Sequence, residues 1–400
     1  MGVSERLQGR LDECGRLGER IGDRGWDLAE CAAEDAGFPV KITLFEAELA
    51  SRHLATMAEE MDQVENGSPF GTVGAIFPYD AAVVTLARLG GGCLLSGNRF
   101  RFSFSSWTAR SARLIAEISS PFEPFEPITG MDNRDFGRHC VNDEAVRVLF
   151  ISGSSVVGEA YRGLCRSFDK LFFAGPGGMP AAVVFPDADP EAAARFISRR
   201  AFLNGGQYCT TIKKALIHES LYGTVRERIL ENAKGLKVGD PRDADTDIGP
   251  IRVARTVRIL QNGLNQCRDA SLIHGGIDGE WVYPLILEME EIPDLELFGP
   301  FLALKPFTDS REAVREIVKS RYGFLLTYFG TPPEHAEALF KEHFGMIHGN
   351  PDFLFTPMRL PFGGKKDSGW ILELENGRWV ERDGAFLYTR ELIRRERART

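Results

Sequence analysis

The segment Val146-Arg147-Val148-Leu149-Phe150-Ile151-Ser152-Gly153-Ser154-Ser155-Val156-Val157-Gly158 changes character at its midpoint. Its first six residues are nearly all apolar, which predicts a strand buried on both faces. A turn that contains Gly153 follows, and the residues after it have a helical pattern. A strand that leads through a glycine turn into a helix presents free N–H groups and the positive end of a helix dipole, which suits a pyrophosphate. The segment is neither the six-residue dinucleotide fingerprint nor a Walker loop, so on its own it is more typical of an ordinary tight turn.

Segments of the same kind stand on both sides of this one. Thr72 to Phe77 and Ala181 to Phe185 are further apolar runs of strand length. Arg99 to Phe104 alternates strictly between phenylalanine and Arg or Ser, which predicts a strand with one aromatic face. Asp189 and Pro190 then fit an N-cap and a first helical residue. Because strand and helix patterns alternate, the predicted class is α/β with a mainly parallel sheet.

About 65 residues at the N-terminus have helical patterns instead. Ile42, Phe45, Leu49 and Met57 recur at helical steps, which predicts an apolar stripe. The stripe leaves Glu46, Glu48 and Arg52 largely on other faces.

The composition excludes several classes of protein. The 400 residues suffice for two or three domains, and a net charge of −9 argues against nucleic acid as the main partner. Seven scattered cysteines predict reduced thiols, and the seven histidines lack metal-ligand spacing, so we expect no metal. No apolar run reaches the ~18 residues of a membrane span and the N-terminus lacks a signal-peptide core, so we expect a cytoplasmic protein without a membrane partner.

The stretch Phe202-Leu203-Asn204-Gly205-Gly206-Gln207-Tyr208-Cys209-Thr210 is the second informative one. A cysteine after a glycine-rich turn, with polar neighbours and nearby N–H groups, is a candidate nucleophile with a depressed pKa. Free cysteines are more often buried small hydrophobic residues, so Cys209 alone does not decide between the two interpretations.

Four segments, taken together and in this order, resemble the aldehyde dehydrogenase superfamily. They are Gly153-Ser154-Ser155-Val156-Val157-Gly158, Gly206-Gln207-Tyr208-Cys209, Glu296-Leu297-Phe298-Gly299-Pro300 and Pro361-Phe362-Gly363-Gly364-Lys365-Lys366-Asp367-Ser368-Gly369. Phe77-Pro78-Tyr79-Asp80 stands where the family has Pro-Trp-Asn, and the resemblance covers roughly residues 25–390. It implies a Rossmann-like nicotinamide-binding domain and an α/β catalytic domain, with the nucleophile between them.

On this basis we divide the chain into three parts. Residues 1–183 hold the N-terminal helices and the cofactor-binding domain, 184–375 the catalytic domain, and 376–400 a segment that returns to the cofactor domain or an oligomer edge. The family's oligomerisation hairpin has no room between Asp62 and Gly71, although its closing strand, near Ala385 to Leu392, still matches. We therefore expect a dimer or a monomer rather than the family's tetramer.

The resemblance also implies the chemistry. Cys209 would attack an aldehyde carbon to give a thiohemiacetal, or a thioester carbon in the reverse direction, while hydride passes to or from NAD or NADP. Glu296 matches the glutamate that holds the nicotinamide ribose. The residues assigned to the cofactor are Gly153, Ser154, Gly158, Glu296, Phe298, Ser103 and Gly175.

Gly175 is the first departure from the family pattern. It stands where hydrolytic members carry the glutamate that activates water, and a glycine does no acid–base work. The sequence therefore tilts toward acylating chemistry on a thioester of coenzyme A or a carrier protein. A channel from Gly175 to Cys209 that is wide enough for a pantetheine arm would support this chemistry. The alternative is oxidation of a small aldehyde to a carboxylic acid, with Glu373 or Asp80 as the base.

Asp80 is the second departure. The family's asparagine donates an N–H to the oxyanion, and an ionised aspartate would repel it. Asp80 is therefore protonated, turned away or reassigned as a base, or else the oxyanion hole is crippled.

The third departure lies in the adenosine pocket. The family's lysine and the acidic residue three positions on are Ser103 and Ser106 here. With Arg99 and Arg101 on the same strand, NADP is at least as plausible as NAD, unless these arginines are solvated residues of the strand face. Together the departures leave one function of another class open, a catalytically degenerate protein that binds a nucleotide or a partner. The retained Cys209 and Glu296 argue against it.

Overall fold

The computed structural model describes residues 5–64, 67–175, 177–267, 269–359, 362–385 and 388–389. Within them the α-helices are α1 (Glu5–Asp23), α2 (Gly25–Ala36), α3 (Val40–Ala55), α4 (Ala82–Thr85), α5 (Gly91–Ser96), α6 (Ala109–Ser119), α7 (Asn133–Asn142), α8 (Ser155–Ser167), α9 (Pro190–Phe202), α10 (Glu219–Lys234), α11 (Ala254–Leu264), α12 (Ser310–Lys319) and α13 (Ala336–His343). Met57–Gln63 is a 3-10 helix and Leu86–Gly90 a π-helical turn. In these ranges no helix combines the length and the apolar character needed to cross a membrane.

The strands form two sheets. They are β1 (Thr72–Ile76), β2 (Arg99–Ser103), β3 (Phe125–Ile128), β4 (Val146–Ile151), β5 (Leu171–Ala174), β6 (Ala181–Val184), β7 (Lys214–His218), β8 (Ser271–Asp278), β9 (Trp281–Glu288), β10 (Phe301–Phe307), β11 (Tyr322–Gly323), β12 (Leu325–Phe329), β13 (Met346–Gly349), β14 (Gly363–Lys366), β15 (Trp370–Glu375) and β16 (Arg378–Ala385).

The first sheet has the order β11-β14-β16-β15-β5-β4-β1-β2-β3. Strands β1 to β5 pair in parallel, which confirms the prediction from the alternating pattern. Since β1 and β4 are parallel neighbours, their carboxyl ends meet at one edge. The turn after β4, at Ser152 to Ser154, therefore lies beside the segment after β1 that carries Asp80.

The second sheet has the order β13-β12-β6-β7-β10-β9-β8, parallel except for the β8–β9 hairpin. The parallel neighbours β7 and β10 place their N-terminal ends side by side. The Cys209 turn precedes β7 and the Glu296 segment precedes β10. The topology thus brings together two segments that are far apart in the sequence.

Local patterns predicted several elements correctly. Phe100 and Phe102 are fully buried, and the ring of Phe77 stacks on Phe102 with centroids 4.9 Å apart. The Asp189 carboxylate accepts the backbone N–H groups of Glu191 and Ala192, and Pro190 is the first residue of α9.

The prediction for α3 was wrong in one respect. Glu46 lies on the buried face of this helix, whereas Phe45 is partly exposed. The face of α3 that packs toward the Cys209 turn contacts a polar partner, the Tyr208 hydroxyl. Hydrophobicity alone therefore does not identify the buried face of this helix.

The hairpin of β15 and β16 covers the edge of β5. Its turn residues Asn376 and Gly377 both have positive φ, 49° and 77°, as two-residue hairpin turns require. The proposed division at 183/184 falls inside β6 and the one at 375/376 inside this hairpin, so the domain boundaries stay predictions.

The two expectations about the oligomerisation strands have different outcomes. The described part of the interval between Asp62 and Gly71 contains no strand. Most of the closing strand, near Ala385 to Leu392, lies outside the described residues.

Candidate active site

The Cys209 turn has an unusual backbone. Asn204, Gly205 and Gly206 follow α9 with φ values of 51°, 59° and 67°, all in the left-handed region. A Cβ atom on Gly206 would lie 2.0 Å from the carbonyl oxygen of Gly299. Glycine is therefore required at position 206, and the Gly299 N–H donates back to the Gly206 carbonyl at 3.0 Å.

The side chain of Lys213 links the Cys209 turn to the loop that contains Gly299. Its Nζ donates to the carbonyl oxygens of Gly206 and Gly299, at 2.6 and 2.7 Å, and the residue is almost fully buried. Burial lowers the pKa of Lys213 to about 7. The sequence analysis missed this residue, although a lysine directly before a buried strand was a usable signal.

One cavity of about 300 Å³ connects Cys209 to the N-terminus of α8. Cys209 itself is partly exposed and also packs against a cluster of Phe324, Leu325 and Met346. Of the residues assigned to the site from the sequence, the cavity wall includes Cys209, Asp80, Gly153, Ser154, Glu296 and Phe298. The polar residues that line it also include Glu46, Arg88, Arg200 and Tyr208, to none of which the sequence analysis gave a role in the site.

Asp80 is buried at one wall of the cavity. Burial raises the pKa of its carboxyl to about 7, against the opposing effect of hydrogen bonds from the backbone N–H groups of Asp80 and Cys209. The carboxyl therefore lies against the Cys209 backbone and exchanges its proton near neutral pH.

The expectation of a depressed pKa at Cys209 was wrong for this structure. Burial and the neighbouring Asp80 carboxyl raise the pKa of the Cys209 thiol to about 12, and Arg88 and Arg200 only partly oppose them. The thiol therefore needs a proton acceptor when it reacts.

Arg88 and Arg200 bring two positive charges to the cavity. Arg200 donates to Leu354 O at 2.5 Å and to Thr356 Oγ1 at 2.6 Å. Arg88 donates to Met358 O at 3.1 Å, and its guanidinium lies 3.6 Å from the Phe362 ring centre. Burial lowers the pKa of each to about 10, so both stay charged at neutral pH. Within the described ranges, neither forms an ion pair with a carboxylate.

Glu296 lies over the start of α8. Its carboxylate accepts the backbone N–H and the hydroxyl of Ser155, at 3.1 and 3.3 Å, and the Gly178 N–H at 3.1 Å. Burial raises the pKa of Glu296, and these hydrogen bonds oppose the shift. Ser154 caps the helix by accepting from the Val157 N–H. The backbone N–H groups and the positive dipole end at this helix N-terminus suit a pyrophosphate.

Three of the cofactor assignments lie away from the cavity wall. Gly158 packs under Trp370, where a Cβ would come within 3.0 Å of the indole. Ser103 is buried and donates to Asn133 Oδ1 at 2.9 Å. Gly175 lies beneath the phosphate turn, and a Cβ there would meet the Ile151 carbonyl oxygen at 2.4 Å and Ser152 Cα at 2.7 Å. The space at Gly175, where a channel would have supported acylating chemistry, is therefore filled by the backbone of the neighbouring strand end.

Glu373 is not brought to the cavity either. It lies on β15 opposite Val380, within the hairpin that extends the first sheet. Glu373 was one of the two alternative bases in the sequence analysis, and it is not among the residues that line the Cys209 cavity.

The arginines of β2 already have partners. Arg101 forms ion pairs with Glu126 and Asp143, both at 2.7 Å, and Arg99 pairs with Glu123 at 2.8 Å. This arrangement favours the interpretation of both as residues of the strand face.

Known proteins are similar to this chain in sequence and in fold. The family model described as the aldehyde dehydrogenase family matches residues 7–382. The chain is 27% identical over 377 residues to the 3-sulfolactaldehyde dehydrogenase of Priestia aryabhattai, covering 86% of this chain and 78% of that protein. The NAD-dependent aldehyde dehydrogenase of Sinorhizobium meliloti superposes with a TM-score of 0.81 at 23% identity, over 96% of this chain and 83% of that one. The glyceraldehyde-3-phosphate dehydrogenase GapN of Methanocaldococcus jannaschii, in complex with NADP, gives 0.79 at 24% identity, over 91% and 85%.

Proposed function

The chain belongs to the aldehyde dehydrogenase family of NAD- or NADP-dependent oxidoreductases, and from this premise we propose that it oxidises a small anionic aldehyde through a covalent intermediate on Cys209. The observation that carries the proposal is the single cavity that joins Cys209 to the N-terminus of α8. Cys209 supplies the nucleophile, and the N-terminus of α8 is suited to hold the pyrophosphate of a dinucleotide.

The residues around α8 fit a nicotinamide dinucleotide. Gly153 and Ser154 line the cavity where the N–H groups point, and Glu296 supplies a carboxylate next to them that can hold a ribose. A bound nicotinamide supplies a hydride acceptor. The chain's own part is to present the aldehyde carbon between Cys209 and that acceptor.

Asp80 is the proton acceptor that the protonated Cys209 thiol needs. As Cys209 Sγ bonds to the aldehyde carbon, its proton passes to the Asp80 carboxylate, and the carbonyl π electrons move to oxygen. The protonated Asp80 then donates a hydrogen bond to that oxygen, as the family's asparagine does, and no negative charge faces the oxyanion. Loss of hydride from the same carbon leaves an acyl thioester on Cys209.

The substrate class follows from Arg88 and Arg200. Two guanidinium groups line the cavity without a carboxylate ion-pair partner among the described residues, and burial raises the pKa of the Asp80 and Glu46 carboxyls in the same cavity. A buried positive charge is stabilised by a counter-ion, so an aldehyde that carries a carboxylate, sulfonate or phosphate fits this end of the cavity. The relative from Priestia is named for a sulfonated aldehyde.

The acceptor of the acyl group has two candidates. Transfer to a thiol, of coenzyme A or a carrier protein, is favoured by the missing glutamate at Gly175. Hydrolysis is favoured by the backbone that fills the space at Gly175 and by the acids in the cavity. We therefore propose hydrolysis to a carboxylic acid as the main reaction and retain acyl transfer as the second candidate.

The test uses lactaldehyde and 3-sulfolactaldehyde, which differ by the sulfonate, with NAD and NADP separately. Absorbance of the reduced nicotinamide should rise with wild-type protein and not with Cys209→Ala, and 3-sulfolactaldehyde should give the higher kcat/KM. Product analysis with and without coenzyme A separates the free acid from the thioester. If no Cys209-dependent signal arises from aldehydes or acyl thioesters in either direction, the oxidoreductase proposal fails and the nucleotide-binding alternative is favoured.

A further inference from the structure

Glu46 is a buried carboxylate that none of the steps above uses. It lies in the middle of α3 with 5% of its surface exposed, and it lines the same cavity as Cys209. The hydroxyl of Tyr208, the residue directly before Cys209, donates to its Oε1. In the part of the chain that the structure describes, Glu46 has no ion pair. A carboxylate placed this way carries a free-energy cost, which makes a functional role worth testing.

A second observation concerns a smaller cavity of about 20 Å³. Glu46, Tyr79 and Asp80 line it as well as the main cavity, so these three residues contact both spaces. Its volume fits a single water molecule. The hydroxyl of Thr43, one turn before Glu46, also lines it and has no hydrogen-bond partner among the described residues. A proton on Glu46 therefore has a polar route, through one water, to Asp80.

The charged and titratable surroundings of Glu46 are few. Tyr208 and Asp80 act on it directly. The other charged or titratable residues that line the same cavity are Tyr79, Arg88, Arg200, Cys209, Arg255 and Glu296. The residues of α2 that reach the small cavity, Leu28 and Ala32, are apolar. Burial raises the pKa of Glu46 to about 8, the Tyr208 hydroxyl lowers it, and Asp80 raises it. A carboxylate with a pKa in this range is an effective base slightly above neutral pH.

We propose that Glu46 is the base that activates the water which resolves the Cys209 thioester, in place of the glutamate for which Gly175 leaves no room. This inference rests on the proposed acyl-enzyme. A water O–H proton passes to the Glu46 carboxylate as the water oxygen bonds to the thioester carbon. The C–S bond then breaks, its electron pair stays on Sγ, and the proton is returned to sulfur. Acid and free thiol are the products, and nothing is oxidised or reduced in this step.

The step can be measured without cofactor or aldehyde by using p-nitrophenyl acetate. Attack by Cys209 releases nitrophenolate in a burst and leaves acetyl-Cys209, and the following steady rate reports hydrolysis of that thioester. Glu46→Gln should keep the burst and lower the steady rate at least 10-fold. Glu48→Gln is the matched control, since Glu48 lies on the exposed face of the same helix and pairs with Arg52. It should behave as wild type.

Tyr208→Phe gives a readout that a merely structural role of Glu46 would not move. The wild-type steady rate should rise with pH through about 8. Because the Tyr208 hydroxyl lowers the pKa of Glu46, its removal should displace that rise to higher pH. A burst followed by a wild-type steady rate in Glu46→Gln, or an unmoved pH profile in Tyr208→Phe, would overturn the role of Glu46 alone. If wild-type protein shows no burst that Cys209→Ala abolishes, the nucleophile itself is refuted and Glu46 with it.

Discussion

The Glu296 carboxylate accepts both the backbone N–H and the hydroxyl of Ser155, at 3.1 and 3.3 Å, at the first turn of α8. This side chain therefore takes the position and the N–H groups that an anion at the helix end would use. The Glu296 carboxylate is both a hydrogen-bond acceptor and a negative charge, so it competes with a phosphate for the helix end.

Glu296→Ala should consequently bind ADP more tightly than wild type. ADP carries the pyrophosphate but no nicotinamide ribose, so it reports the helix end without the contact that Glu296 is proposed to make. Removal of a like charge at this site corresponds to about 1 kcal/mol, or roughly a fivefold lower Kd by isothermal titration calorimetry. Glu291→Ala, an exposed residue of the same segment, serves as the control. Weaker ADP binding in Glu296→Ala would show that the carboxylate supports the phosphate site instead of competing for it.

Restoring a side chain at position 175 should fail for a steric reason. The Cβ of any residue would lie 2.4 Å from the Ile151 carbonyl oxygen, so Gly175→Ala and Gly175→Glu meet the same backbone. We expect each to lower the free energy of unfolding by about 1–3 kcal/mol and neither to increase hydrolysis of acetyl-Cys209. Gly163→Ala is the control, since a Cβ on Gly163 in α8 meets nothing within 4 Å. It should be neutral or stabilising by up to about 1 kcal/mol in urea titrations. Faster hydrolysis in Gly175→Glu would contradict this account of the site.

The parts of the fold that were predictable have short-range signals. The period-two pattern at Phe100 and Phe102 and the Asp189–Pro190 helix start are read within a few residues, and each was confirmed. The order of the four segments carried the family resemblance, because each segment has its own backbone requirement, such as the left-handed Gly206.

What the sequence did not disclose depends on contacts between distant segments. Glu46 and Tyr208 are 162 residues apart, and a glutamate within a helical pattern looks like an exposed residue until its partner is known. Lys213 is buried because two loops present carbonyl groups to it. The glycine at position 175 shows that no side chain is present there, but only the structure shows that the backbone of Ser152 lies in that space.

Arg88→Met should change the preference between substrates. Loss of the guanidinium removes a partner for the anionic group, so kcat/KM for 3-sulfolactaldehyde should fall at least 10-fold, about 1.4 kcal/mol. It also removes a group that lowers the pKa of Cys209, so the rate with lactaldehyde should fall as well, but less. The ratio of the two kcat/KM values is therefore the decisive quantity. Arg258→Met, an exposed position on α11, should leave the ratio unchanged. An equal loss for both substrates would remove the support for an anionic substrate.

The difference in the free energy of unfolding between wild type and Lys213→Met should depend on pH, because the buried lysine loses its charge near neutral pH. Burial lowers the pKa of Lys213 to about 7 in the folded protein, whereas the ordinary pKa of a lysine is 10.5. The unfolded chain therefore binds more protons at position 213 between about pH 7 and 10.5, so the contribution of Lys213 to stability improves as pH rises through this window. Below pH 7 the lysine is charged in both states and its desolvation is fully unfavourable. The free energy of unfolding of wild type relative to Lys213→Met should accordingly rise between pH 6 and pH 9, by about 1 kcal/mol or more, in paired urea titrations.

Lys234→Met, near the exposed end of α10, controls for the loss of a surface charge. A difference between wild type and Lys213→Met that stays constant with pH would mean that hydrogen bonds to Gly206 and Gly299 keep the lysine charged throughout.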